Sequence, residues 1–178
     1  LKKKITEIEE YSNDVDVILF NVDSKSATDS KMNKDAIKDV FMKVFNDYLG
    51  YCGSMPFLAE FERKLDMDGV YDQFKDKFAE INGAPWIKVR EDFYFIQDEI
   101  IEAVTSLGIM SESEAKNWAE NAQNTYNLSI DKFAEYVRKY CESKGKNHHV
   151  LFLVDEIGQY IADDSKLMLN LQTVTEDL

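Results

Sequence analysis

Two short, unbroken apolar runs stand near the two ends of the chain. Val17–Phe20 is the first and Val150–Val154 is the second, and neither alternates with polar residues. A short run rich in Val, Leu, Ile and Phe indicates a strand buried on both faces, as in a parallel sheet covered by helices. We therefore predict strands at about residues 16–22 and 149–154.

The long stretch between these runs has a helical period. From Asn33 onward, apolar residues recur at spacings of three and four, which predicts amphipathic helices. The predicted helices run roughly from 33 to 49, 56 to 68, 70 to 82, 86 to 107, 111 to 126 and 129 to 145. A crossover between parallel strands needs only about a dozen residues. The surplus predicts a helical insertion at 33–145, while 1–32 and 146–178 carry the sheet.

Several helix starts have a clear local signal. Ser111 and Glu114 form a capping box, Ser129 precedes an apolar-periodic segment, and Asp164 precedes a helix predicted to begin near Ser165. Further along that last helix, we expect the side chains of Asn170 and Gln172 to face solvent.

Two carboxylates, Asp155 and Glu156, follow the second apolar run directly. In open α/β sheets, ligands bind beyond the carboxyl ends of the strands. An apolar strand that ends in Asp-Glu is the Walker B pattern of P-loop nucleoside triphosphatases. Asp155 would support Mg²⁺ through its water shell, and Glu156 would polarise the water that attacks the γ-phosphate. The alternative is a strand that merely ends in acidic residues as the chain leaves the core.

A polar loop follows the first apolar run. Its residues are Asp23, Ser24, Lys25 and Ser26. If the two strands are parallel, this loop lies at the same sheet edge as Asp155 and Glu156. Ser24, Lys25 or Ser26 would then reach a nucleotide phosphate or the attacking water. The alternative is an ordinary strand-to-helix turn, because these residue types favour turns.

The string from His148 to Ile161, together with Asp164–Leu178, resembles the Walker B region of the large P-loop ATPase of BREX (bacteriophage exclusion) defence systems, of the BrxC/PglY type. The segment Val17–Ser26 is similar to a second piece of that family. The resemblance implies an α/β fold: a partial P-loop (AAA+-like) parallel sheet with a large inserted helical subdomain, helix-dominated overall. It also implies that the full-length protein uses ATP and Mg²⁺, and that its partners are other BREX proteins or further copies of itself.

The phosphate-binding loop of such ATPases is missing from these 178 residues. No G-x-x-x-x-G-K-[ST] motif occurs, so the groups that hold the β- and γ-phosphates are absent. Leu1 begins within a helical pattern and Leu178 ends within another, so we expect an internal fragment of a larger ATPase. We expect this fragment alone neither to bind ATP and Mg²⁺ tightly nor to hydrolyse ATP.

Charge and cysteine content narrow the partners and the compartment. The net charge is −13, which disfavours direct contact with nucleic acid or anionic membranes. Cys52 and Cys141 have no metal-ligand spacing, which fits a reducing cytoplasm. No apolar run is long enough to cross a bilayer.

Two other functions remain open. The first is an acidic helical module that binds partner proteins without nucleotide chemistry. The second is a plain acidic helical domain in which Asp155 and Glu156 are accidental. Adjacent parallel strands at the two apolar runs would favour the ATPase reading, whereas a helix at either run would favour the last.

Overall fold

The computed structural model describes residues 14–22, 36–145 and 147–178. Helices dominate this part of the chain and accompany a sheet of two strands, as the sequence predicts. The helix predicted at 2–12 lies outside the described residues. The strands are β1 (Val15–Asn21) and β2 (His149–Asp155). The helices are α1 (Ala36–Tyr48), α2 (Pro56–Met67), α3 (Tyr71–Asn82), α4 (Trp86–Val89), α5 (Gln97–Ser106), α6 (Glu112–Thr125), α7 (Ile130–Lys144), α8 (Ile157–Ile161) and α9 (Ser165–Asp177), with a 3₁₀ segment at Arg90–Phe95.

The two strands pair directly and in parallel. The parallel sheet was predicted, whereas the sequence left open whether the two strands are neighbours. The register runs from Val15 opposite His149 to Asn21 opposite Asp155. Both strands therefore present their carboxyl ends at the same edge of the sheet, which we call the C-terminal edge.

Only one face of this sheet is covered in the described part of the chain. Phe20 and Phe152 point to the covered face, and each ring centroid lies 5.3 Å from that of Phe41 on α1. On the opposite face Leu19 is 73% exposed, and Leu153 is also exposed. The expectation that both strands are buried on both faces is therefore wrong for the described residues. Alternate residues of a strand point to opposite faces, and the described helices that contact the strands cover only one.

The described residues divide into two compact units. One unit contains the described residues up to Tyr48 together with Leu128–Leu178, and the other is Leu49–Asn127. Helices α1 and α7, which lie within the insertion predicted at 33–145, belong to the unit with the sheet. They do so because Phe45 on α1 packs against Phe133 on α7 and against Phe152 on β2, with centroid distances of 5.9 Å and 6.3 Å.

The unit of residues 49–127, the helical unit, has a core built largely from aromatic rings. Phe61 stacks on Trp118 at 4.3 Å, and Trp86 meets Phe74 and Phe78 edge-on at 5.1 Å and 5.0 Å. Such pairs add about 0.5–1.5 kcal/mol each beyond the area they bury. These residues come from α2, α3, α4 and α6, so the rings join the unit across most of its helices.

A fully buried carboxylate, Glu62, lies inside this aromatic core. Its Oε1 accepts hydrogen bonds from Tyr71 Oη at 2.9 Å, Trp86 Nε1 at 2.7 Å and Arg90 Nη1 at 2.9 Å. Its Oε2 accepts from the backbone N–H of Cys52 at 2.6 Å. Burial and the neighbouring Glu62 carboxylate raise the pKa of Tyr71, which keeps its hydroxyl a donor. Each donor comes from a different part of the unit, so Glu62 ties them together.

The longest predicted helix, from Trp86 to Leu107, is broken into three pieces. A 3₁₀ segment separates α4 from α5, and Asp92 within it is non-helical, with φ −83° and ψ 23°. The prediction of one continuous helix is wrong here. Arg90 donates to Glu62 and also to the carbonyl of Gly50 at 2.9 Å, which are contacts with distant residues that local periodicity does not report.

In the described residues, no helix is long and apolar enough to cross a membrane.

Candidate functional site

Asp155 and Asn21 lie side by side at the C-terminal edge of the sheet. They are the last residues of β2 and β1, and they are paired in the register. Asp155 is exposed, and its Oδ1 accepts the backbone N–H of Glu156 at 2.9 Å. Parallel pairing brings the two strand ends together, so the carboxylate predicted to support Mg²⁺ stands at the edge where ligands of such sheets bind.

Glu156 occupies a left-handed backbone conformation, with φ 59° and ψ 15°. This conformation costs a residue with a side chain about 1–2 kcal/mol relative to glycine. It lets the chain turn from β2 straight into α8, whose first bonds run from the N–H groups of Gln159 and Tyr160 to the Glu156 carbonyl at 3.1 Å. Tyr160 and Ile161 are buried and anchor that short helix. Strained residues of this kind concentrate at functional sites.

The Glu156 side chain reaches across to the neighbouring strand. Its Oε2 accepts a hydrogen bond from the amide Nδ2 of Asn21. The carboxylate is exposed and is held over the strand ends next to Asp155. Sequence reasoning missed Asn21, although its place as the polar residue directly after the apolar run Val17–Phe20 was a usable signal. The site that the structure describes therefore consists of Asn21, Asp155 and Glu156.

The other predicted nucleotide-binding residues, Ser24 and Lys25, lie outside the described residues, as does Ser26. Their proposed contact with a phosphate stays a prediction. No group of three or more His, Cys, Asp or Glu side chains in the described ranges could hold a metal ion. The donor set at the C-terminal edge is one strand-end carboxylate with a second beside it. This set suits Mg²⁺, which keeps several waters and binds through one or two carboxylates together with substrate phosphates.

Helix α9 follows the site, and two side-chain contacts hold it, one at its start and one near its middle. Asp164 caps it by accepting the N–H groups of Lys166 and Leu167 at 2.8 Å and 3.2 Å, as predicted. Asn170 is buried, so the expectation that it faces solvent is wrong. Its Oδ1 accepts the backbone N–H of Lys38 at 3.1 Å, near the start of α1, where helical N–H groups lack an intrahelical partner.

A second polar cluster lies at the opposite edge of the sheet. Asp16 Oδ2 accepts a hydrogen bond from Tyr140 Oη at 2.6 Å and lies 3.0 Å from His148 Nε2. The hydrogen bond from Tyr140, and weaker ones from Tyr48 and His148, hold the pKa of Asp16 below its ordinary value of 3.8. Burial and the bond to Asp16 raise the pKa of Tyr140. The cluster joins β1, α1 and α7 beside the start of β2, which is a structural role.

Replacing Asp16 with Asn is expected to destabilise the strand pair by about 1–2 kcal/mol at neutral pH, because hydrogen bonds to a charged acceptor become bonds to a neutral one. The folded-state pKa of Asp16 is depressed, so its contribution is present above pH 3.8 and is lost as pH falls through the lower folded-state value. The difference between wild type and variant should therefore shrink below about pH 4. Native-state hydrogen exchange of the β1 and β2 amides measures it. A difference independent of pH would contradict this account.

No protein-family model matches the sequence, and no solved structure matches the fold at a significant level.

Proposed function

We propose that this chain contributes the Walker B part of a P-loop ATPase of the BREX type. The observation that carries the proposal is the paired strand ends, where Asp155 and Glu156 stand beside Asn21 at the C-terminal edge of a parallel sheet. An accidental acidic strand end would need neither a strained backbone at Glu156 nor a side chain bonded to the adjacent strand. The family resemblance of the surrounding string points to the same function.

Three residues have distinct roles in this proposal. Asp155 holds a water of the Mg²⁺ shell, and Mg²⁺, when bound with ATP, supplies the positive charge that offsets the phosphates. Glu156 accepts a hydrogen bond from the attacking water and orients it toward the γ-phosphate. Asn21 positions Glu156 through its side-chain amide. Ser24 and Lys25 belong to the loop after β1 and are proposed to face the phosphates.

The 178 residues lack the phosphate-binding loop, so we propose that ATP hydrolysis is a property of a longer protein containing them. In that protein, BREX components or further copies are the proposed partners. The acidic charge argues against direct DNA contact by this part.

Calorimetric titration of MgATP tests this assignment. We expect no micromolar binding to the 178-residue chain, because Asp155 and Glu156 cannot hold the phosphates without the glycine-rich loop and its lysine. A protein extended on the N-terminal side to include that loop should bind MgATP with a micromolar Kd. The proposal would be overturned if the 178-residue chain bound MgATP with micromolar affinity. It would also be overturned if the N-terminally extended protein proved to contain no glycine-rich loop.

A further inference from the structure

Two neighbouring aromatic side chains, Tyr94 and Phe95, project from the 3₁₀ segment of the helical unit. Phe95 is 88% exposed and Tyr94 is more than half exposed. Phenylalanine is among the residues most often buried in folded domains. Five other phenylalanines of this unit follow that rule and are buried: Phe57, Phe61, Phe74, Phe78 and Phe93. Exposed aromatic residues are enriched at the centres of protein interfaces.

The segment that carries Phe95 is held on both sides. Before it, Phe93 is buried, with its ring 5.1 Å from that of Phe57 and 5.6 Å from that of Trp118. After it, Ile96 is buried. The backbone of Phe95 is thus fixed by two core residues that flank it closely. A ring presented on a fixed backbone loses less conformational entropy on binding than one on a mobile loop.

Polar contacts add to this fixation. Tyr94 Oη donates to Oε1 of Gln123 on α6. Gln97 Nε2 donates to the carbonyl of Ala119, also on α6, at 3.0 Å. Upstream, Arg90 is bound to Glu62 and to the Gly50 carbonyl. The segment is therefore hydrogen-bonded to α6 and to the buried carboxylate of Glu62. These contacts hold the backbone that carries Phe95.

The charge around Phe95 specifies the kind of partner. Residues 91–99 contain four carboxylates, Glu91, Asp92, Asp98 and Glu99, and no Lys or Arg. The nearest cations have carboxylate partners of their own: Arg90 is paired with Glu62, and Lys116, which also interacts with Asp98, is paired with Glu112. Three of the four are exposed and Glu99 is partly so. A second copy of the chain would bring the same carboxylates and a net charge of −13, which repels. Nucleic acid and anionic membranes are disfavoured for the same reason.

We propose that Tyr94 and Phe95, flanked along the chain by Glu91, Asp92, Asp98 and Glu99, form a docking surface for a Lys- or Arg-rich segment of a partner protein. An apolar side chain or pocket of that segment covers the Phe95 ring, and its basic residues pair with the flanking carboxylates. This surface belongs to the helical unit and uses none of the residues assigned to ATP hydrolysis. Its failure in a test would leave the ATPase proposal untouched.

The test is selection of binders to the 178-residue chain from a phage-displayed library of random peptides about 16 residues long, roughly four helical turns. We expect the selected peptides to carry net positive charge with at least one large apolar residue. Their affinity should fall at least about 10-fold for Phe95→Ala, as for an interface hot spot. It should also weaken for the double variant Asp98→Asn, Glu99→Gln, with a smaller dependence on salt.

Leu169→Ala is the matched control, because it removes another exposed apolar side chain, on α9 in the unit with the sheet. It should leave peptide affinity unchanged within about twofold, as expected away from a hot spot. Phe95→Ala should keep the wild-type melting temperature, since the ring is exposed. Peptides that bind Phe95→Ala as tightly as wild type would overturn the proposal. So would a neutral or acidic selected pool, or the absence of any selected binder.

Discussion

Replacing Glu156 with Gln in the longer protein proposed to be an ATPase is expected to lower ATP turnover by roughly 100- to 10,000-fold, the range for loss of a general base. Gln has nearly the same size, and its side-chain oxygen can still accept the bond from Asn21. The variant therefore loses the negative charge that is proposed to polarise the attacking water, while the geometry stays. Asp155 and the phosphate-binding loop are unaffected, so ATP should remain bound. Steady-state hydrolysis and equilibrium binding of ATP measure the two effects separately.

A Glu156→Gly variant separates the chemical role from the backbone role. Glycine adopts φ 59° without strain, so it should keep or raise stability by up to about 1 kcal/mol. If Glu156 served only as a turn residue, turnover would survive this change. We expect it to fall as far as in Glu156→Gln. Asp163→Asn, an exposed acid just beyond α8, is the control and should turn over normally. Normal turnover in Glu156→Gln would remove this residue from the mechanism.

Replacing Glu62 with Ala is expected to destabilise the helical unit by about 3–5 kcal/mol. The change leaves the Arg90 guanidinium, which is 13% exposed, without its carboxylate partner. It also leaves the donors of Tyr71, Trp86 and Cys52 without an acceptor inside the core, and each such group adds a desolvation cost. A typical domain is stable by only about 5–15 kcal/mol, so the loss takes a large part of the total.

Tryptophan fluorescence during denaturant unfolding measures this effect. The chain has two tryptophans, Trp86 and Trp118, and both lie in the helical unit. Glu62→Gln keeps the shape of the side chain but replaces one accepting oxygen with an NH₂ group, which would face a hydrogen-bond donor. We therefore expect a smaller loss of stability, about 1–3 kcal/mol. Glu60→Ala, two residues away on α2 and only partly buried, should change stability by less than about 1 kcal/mol. If Glu60→Ala and Glu62→Ala lowered the free energy of unfolding equally, the hydrogen bonds to Glu62 would have no special part in stabilising the unit.

Much of the local structure follows from short-range sequence signals. The apolar runs predicted both strands, and the observed strands end within one residue of the predicted ends. The capping box at Ser111 is present, with both of its bonds formed. Ser129 and Asp164 also cap their helices as predicted. These features depend on neighbouring residues, so a pattern along the chain is enough to find them.

Other features depend on residues far apart in sequence, and there prediction failed or was silent. The helix expected from Trp86 to Leu107 breaks where Arg90 reaches Glu62 and Gly50. Asn170 is buried because it binds the start of a helix 132 positions away. Asn21 entered the candidate site only because the pairing of β1 with β2 brings it to Glu156, 135 positions away in the sequence. Periodicity describes one element at a time, so it does not report which elements meet.

The sequence by itself determined the positions of the strands, the helix caps and the acidic pair at the end of β2. These are set by local propensity and by hydrogen bonds within a few residues. Only the tertiary structure decided that the strands pair in register, that Asn21 holds Glu156, that one sheet face is left uncovered by the described helices and that Glu62 is buried among four donors. Those outcomes follow from packing and hydrogen bonding between segments that are distant in the sequence. Such contacts stabilise the fold only after the segments have come together, so no local pattern reports them.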